Sequence, residues 1–200
     1  MYPRLEINIE KLKTNLQVIS NLLKKNNISL AMVTKAYCAN LDIVNELVKD
    51  KNLIDYLADS RIENLKEMRH INIPKILLRI PMKSEVEDVI RYADISFNSE
   101  YETIEKLNEE AKKVNKIHKI VIMVDLGDLR EGYFLQKDLF DNIKKIQDLH
   151  NISIIGVATN LTCYGAVLPS EENLSKLVNI AEKFERDFNI DIKIISGGNS

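Results

Sequence analysis

The chain has little cysteine, little net charge and no long apolar run, and each shortage excludes something. Two cysteines, Cys38 and Cys163, in 200 residues are too few for a disulfide framework, and a reducing cytoplasm suits them. A net charge of -2, from 28 basic and 30 acidic residues, leaves no electrostatic footprint for nucleic acid. The pairs Lys24-Lys25 and Lys112-Lys113 are expected on solvated helix faces beside acidic neighbours. No apolar run approaches the ~20 residues that a membrane-spanning helix needs. The start, Met1-Tyr2-Pro3-Arg4-Leu5-Glu6, lacks the apolar core of a signal peptide. His70, His118 and His150 are scattered without metal-ligand spacing, so no metal is expected.

What is present reads as a single soluble domain over residues 1–200, 45% hydrophobic and 29% charged. Short, nearly continuous apolar runs predict strands buried on both faces. They cover residues 29–34, 53–58, 75–80, 93–97, 119–125, 153–159 and 191–195. Helical stripes lie between them. Ile9, Leu12, Leu16, Ile19 and Leu23 form one, Ile104, Leu107, Ala111 and Val114 another, and Leu174, Leu177, Ala181 and Phe184 a third. Ser60 with Glu63, Ser84 with Glu87 and Ser99 with Glu102 have the spacing of capping boxes at three helix starts.

Strand alternating with helix predicts a parallel α/β fold of the (β/α)8 barrel type. Seven strands are countable, and the chain stops at Gly197-Gly198-Asn199-Ser200. A fragment, or a product truncated before its last barrel strand and without a C-terminal β-domain, is therefore expected. A doubly wound sheet is the alternative, but no Gly-rich fingerprint follows the first strand.

Barrels of this type build their sites where strands end. The candidates are Lys35, Asp59, Ser60, Arg61, Arg79, Asn98, Asp125, Arg130, Asn160, Cys163, Tyr164 and Ser196. Lys35 emerges from apolar surroundings, whose partial desolvation favours the neutral amine that Schiff-base chemistry needs; the alternative is a cation that merely bounds a strand. Ser196, Gly197, Gly198, Asn199 and Ser200 suit a phosphate cradle, with backbone amides approaching closely at glycine, or a plain turn. Arg130, between Gly127 and Gly132, can present a planar guanidinium to a carboxylate; alternatively it pairs with Asp128 or Glu131. The run Thr159-Asn160-Leu161-Thr162-Cys163-Tyr164-Gly165 suits the lining of a flat ligand, and equally a turn.

With these residues assembled, the chain resembles the fold-type III, alanine racemase-like family over essentially its whole length. The likeness rests on Ala31-Met32-Val33-Thr34-Lys35-Ala36, Leu57-Ala58-Asp59-Ser60-Arg61, the stretch from Val124 to Gly132, the stretch from Thr159 to Gly165, and Ser196-Gly197-Gly198-Asn199-Ser200. The resemblance implies pyridoxal 5'-phosphate held covalently by Lys35, which then serves as one of two acid/base groups. It implies that Arg130 orients the substrate carboxylate and the catalytic tyrosine, and that Ser196 to Ser200 hold the cofactor phosphate. Asn160 stands where alanine racemases often carry a histidine near the cofactor ring. The Tyr-Gly-His-Gly run that follows the lysine in those enzymes is missing, and Tyr37 lies closer to Lys35. The nearest branch acts on ornithine, which is the implied amino acid.

In that family the second base is a tyrosine from a partner's C-terminal domain, so a homodimer is implied for the full-length protein. The 200-residue chain alone is expected to racemise poorly. Three rivals stay open: a barrel that only holds the cofactor for homeostasis, an aldolase of the D-threonine type, and a cofactor-independent racemase using Cys38 and Cys163, with Cys163 or Tyr164 also open as second base. Pro3 to Asn8 resembles the racemases, where this segment reaches towards a second domain.

Overall fold

The computed structural model describes residues 3, 4, 6–162 and 167–197. In order its elements are α1 (Ile9–Lys25), β1 (Ala31–Val33), α2 (Leu41–Leu47), β2 (Tyr56–Asp59), α3 (Ile62–Glu67), β3 (Lys75–Leu77) and α4 (Val86–Tyr92). They continue with β4 (Ile95–Asn98), α5 (Tyr101–Lys113), β5 (His118–Met123), α6 (Gln136–Gln147), β6 (Ile152–Ala158), α7 (Glu171–Phe188) and β7 (Ile194–Ser196). All seven strands overlap the apolar runs that predict them, and most are shorter than the run.

The strands form one sheet in the order β1-β2-β3-β4-β5-β6-β7, and every pairing is parallel. A sequential order with each crossover helix on the same side curls the sheet into most of a barrel. The doubly wound alternative, whose order reverses at a switch point, is excluded.

Alternation along the strands divides the core. Ala58, Ile76, Ile95, Phe97, Val121, Met123 and Ala158 pack together, with Ala31, Val33 and Ile194 against them; these fill the concave side. Leu57, Leu77, Ile120, Ile122 and Val157 belong instead to two clusters shared with the helices. At 20–33 cal/mol per Å² of apolar area, each fully buried leucine or isoleucine stabilises the fold by roughly 1.5–3 kcal/mol.

The stripes hold for most of their positions and fail at two. Leu16 of α1, Ile104, Leu107 and Ala111 of α5, and Leu177, Ala181 and Phe184 of α7 are buried, whereas Ile19 and Val114 are exposed. The three expected capping boxes do not form. Helices α3, α4 and α5 begin after Arg61, Glu85 and Glu100 without a side-chain cap. Each thus starts one residue later than its expected serine cap allows, too late for that hydroxyl to reach. A capping box does form at Ser170 with Asn173, and Asn8 and Asn40 cap α1 and α2. Lys24 and Lys25 lie in the last turn of α1 and Lys112 and Lys113 in that of α5, where cations complement the helix dipole.

Candidate functional site

The register brings the C-terminal strand ends level. Thr34 N–H donates to the Ala58 carbonyl (2.9 Å), Leu78 N–H to Asp59 (2.9 Å), Val124 N–H to Ala158 (2.7 Å) and Thr159 N–H to Ser196 (3.1 Å). The residues next along the chain therefore line one mouth. Ser196 and Asn160 keep the concave parity of Ile194 and Ala158, and Lys35 that of Ala31 and Val33, although the strand gives way to a 3₁₀ turn over Lys35–Tyr37.

At the end of β1, Thr34 and Asp59 are fully buried. Thr34 Oγ1 donates to Asp59 Oδ2 (2.6 Å), while Asp59 Oδ1 accepts from Arg61 N–H (2.9 Å) and Asn64 Nδ2 (3.0 Å). Asp59 is thereby committed to tying β1 and β2 to the first turn of α3. Cys38 and Ala39 lie just after the turn with φ of 51° and 50°, a left-handed pair that non-glycine residues adopt only at a cost of about 1–2 kcal/mol each. Lys35 itself is exposed, which corrects the expected desolvation. The physical reason is that β1 has a neighbour on one side only, so no second flank covers the turn at its end. Among the described residues its amine makes no hydrogen bond or ion pair. The Tyr37 hydroxyl is buried without a partner among the described residues. Burial, and secondarily the Asp59 anion, push this phenol up to about 12.

The ends of β3 and β4 contribute less. Arg79 Nη2 donates to both oxygens of Glu85 (2.8 and 2.7 Å), and Glu85 also accepts Met82 N–H (3.1 Å). Asn98 is buried and folds back, its Nδ2 donating to the Ser96 carbonyl and Oγ, both at 2.9 Å. It has the helix-side parity, so the structure removes it from the mouth.

The loop after β5 is held in a fixed shape. Asp125 Oδ1 accepts the N–H groups of Gly127 (2.8 Å) and Leu129 (3.2 Å), and buried Asp128 accepts Val167 N–H (3.3 Å). Gly132 has φ +119°, and a Cβ there would lie 2.6 Å from the Asp125 nitrogen. Only glycine allows this approach, by which Tyr133 N–H reaches the Met123 carbonyl (2.9 Å) and Asp125 N–H the Tyr133 carbonyl (3.1 Å).

Arg130 and Glu131 sit just before that clamp. Arg130 Nε lies 3.5 Å from Glu131 Oε1, with side chains 38% and 12% exposed. The same Oε1 accepts a hydrogen bond from Asn160 Nδ2 on the next loop. The ion-pair reading of Arg130 and its reading as a site residue thus describe one arrangement. Glu131 was legible in the sequence only as an ion-pair partner, because its contact with Asn160 spans 29 positions.

Ser196 and Gly197 close the described part of the mouth, on β7 and just after it. Cys163, Tyr164, Gly198, Asn199 and Ser200 lie outside the described residues. Cys38 is a free, exposed thiol. Among the described residues, no three His, Cys, Asp or Glu side chains gather as ligands. His118 opens β5 at the far end of the barrel. A cavity of about 700 Å³, lined in part by Tyr56, Lys119, Ser153 and Lys193, also opens at that far end, among the strand starts. No helix among the described residues is long and apolar enough to cross a membrane.

The alanine racemase N-terminal domain family matches residues 7–200. The chain is 54% identical over 200 residues to an ornithine racemase of Acetoanaerobium sticklandii, covering 100% of this chain and 56% of that protein. A lysine racemase of Thermotoga maritima is 32% identical over 202 aligned positions, covering 100% of this chain and 55% of its own length. The chain therefore spans about half the length of the curated relatives it matches. A solved alanine racemase of Clostridium difficile in complex with cycloserine superposes with a TM-score of 0.78 at 25% identity, over 96% of this chain and 54% of that one. Fold, motif order and kinship agree: this chain belongs to the alanine racemase N-terminal domain family.

Proposed function

We propose that residues 1–200 are the cofactor-binding domain of a cytoplasmic, pyridoxal-phosphate-dependent amino-acid racemase that interconverts L- and D-ornithine. The observation that carries this reading is a lysine amine without a partner among the described residues, standing at the same end of the sheet as the Arg130–Glu131–Asn160 group. Kinship supports the amino acid, since the relatives matched along the whole chain are named for ornithine and lysine.

The donor set fits pyridoxal phosphate. A primary amine is free to bond the aldehyde carbon, and Arg130 and Asn160 offer planar donors at the same end of the sheet. Ser196 and Gly197 lead from β7 into the segment assigned to the phosphate. The chemistry the cofactor supplies when bound is electron withdrawal, which acidifies the α-proton of an attached amino acid. Lys35 takes or returns that proton on one face, and a base is needed on the other. We assign the second base to a tyrosine of a partner subunit, with Arg130 turning the substrate carboxylate. Leu129, Phe134, Leu135 and Leu168 stand exposed on loops at the mouth, apolar surface suited to cover by a second domain or subunit. His118, remote from the mouth, has no part in the reaction.

The test is to add pyridoxal phosphate, record the visible spectrum, reduce with borohydride and map the label by peptide mass. A yellow band with the label on Lys35 is expected, together with racemisation of ornithine by the full-length protein. A label spread over surface lysines would end the assignment of Lys35. A label on Lys35 with no turnover of any amino acid by the full-length protein would favour a cofactor-holding role instead.

A further inference from the structure

The mouth holds one carboxylate whose partners are both site candidates. Glu131 is 12% exposed, and a single oxygen of it faces two donors on adjacent loops: Arg130 Nε at 3.5 Å and Asn160 Nδ2. A carboxylate this far withdrawn from water attracts a guanidinium more strongly than a surface one does. The pairing is made through Nε, which leaves both Nη groups of Arg130 able to meet a planar carboxylate side by side.

The backbone around Glu131 does not give. Gly132 locks the next residue against Val124 and Asp125, and Asp125 Oδ1 holds the start of the loop through Gly127 and Leu129. On so constrained a backbone, the one Glu131 oxygen shared by Arg130 and Asn160 ties the loops after β5 and β6 together at a single point.

We propose that Glu131 is a positioning residue for the racemase reaction. It aligns the Arg130 guanidinium for the substrate carboxylate and the Asn160 amide for the cofactor ring through one shared oxygen. The inference rests on the racemase reading above. Displacements of about 1 Å at such groups cost on the order of 100-fold in rate, so losing the anchor reaches kcat/KM although Glu131 touches no reacting atom.

The experiment uses the full-length protein loaded with pyridoxal phosphate and compares Glu131→Gln, Glu131→Asp, Asn160→Ala and the double variant Glu131→Gln/Asn160→Ala. Glu131→Gln is expected to keep the Lys35 label and the wild-type melting temperature, yet to lose about 10-fold to 100-fold in kcat/KM for ornithine. KM should carry more of that loss than kcat, because Arg130 turns the substrate carboxylate. Glu131→Asp restores part of it, and Asn160→Ala costs little once Glu131 is already Gln. Wild-type kcat/KM in Glu131→Gln overturns the proposal, as does a loss that tracks melting temperature in every variant. Absence of the Lys35 label in the wild type brings down the racemase reading, and this inference with it. A labelled wild type with a fully active Glu131→Gln brings down this inference alone.

Discussion

Lys75 and Lys35 both stand at strand ends of one sheet, Lys75 opening β3 and Lys35 just beyond β1, and their surroundings have little in common. Lys75 is buried. Its Nζ donates to the carbonyls of Ile71 (2.7 Å) and Ile73 (3.1 Å), while its backbone N–H meets Asp94 Oδ2 (2.7 Å). Lys116, at the same end, donates to Ile90 (2.7 Å) and Ala93 (3.1 Å), the carbonyls left over where α4 stops. Burial pushes both ammonium groups below their usual range, and Asp94 opposes that shift.

Still at that end, His118 shares a 2.8 Å hydrogen bond with Ser96 Oγ. Burial, and secondarily the nearby Lys116 cation, push its imidazole down to about 3. Lys75, Lys116 and the Nε2 of His118 are thus committed to backbone and hydroxyl partners, whereas the Lys35 amine at the mouth has no partner among the described residues. An ionisable group satisfied within the fold supports stability. One left without a partner at the working face of a barrel is open to chemistry.

The sharpest way to break this contrast is to replace each lysine by methionine. In the loaded full-length protein, Lys35→Met is expected to lose about 100-fold to 10,000-fold of the racemisation rate together with the borohydride label. Its urea midpoint should move by less than about 0.5 kcal/mol equivalent, as at other exposed positions. A large loss of stability with activity retained would reverse the roles of the two ends.

Acid provides the next largest effect. His118 has a folded value near 3 against an ordinary value of 6.5. Between those limits the unfolded chain binds a proton that the folded chain refuses. Stability contributed by the neutral imidazole is therefore complete above about pH 6.5 and is lost as pH falls towards 3, by about 1.4 kcal/mol per pH unit. Urea unfolding at several pH values measures that slope. His118→Gln should flatten it and Lys35→Met should leave it unchanged, while an identical slope in His118→Gln would remove His118 as its origin.

The smallest effect expected is that of Lys75→Met. Taking the donor from the Ile71 and Ile73 carbonyls costs about 2 kcal/mol, read as a lower urea midpoint. Labelling of Lys35 should persist in the molecules that remain folded, which separates the two ends once more.

Strand positions were readable in advance because a strand covered on both faces must be apolar nearly throughout, as Lys119 to Asp125 shows. The helix starts were less readable. Ser60, Ser84 and Ser99 have capping-box spacing, yet α3 starts after Arg61 with Asp59 accepting the Arg61 N–H. The spacing rule is local, while the point where a helix leaves the sheet depends on where the preceding strand ends. Asn98 shows a related limit: its place at the end of β4 was readable, but not its turn back onto Ser96.

By itself, the sequence determined that strands and helices alternate, that Lys35, Arg130, Asn160 and Ser196 fall at strand ends, and which family the motifs resemble. Those features depend on periodicity and spacing within a few residues. The tertiary structure alone decided that Asp59 is committed to Thr34 across 25 positions and that Glu131 meets Asn160 across 29. It also decided that the amine of Lys35 meets no partner among the described residues. Whether a polar group is occupied depends on groups brought near it from distant parts of the chain, and no local pattern records that.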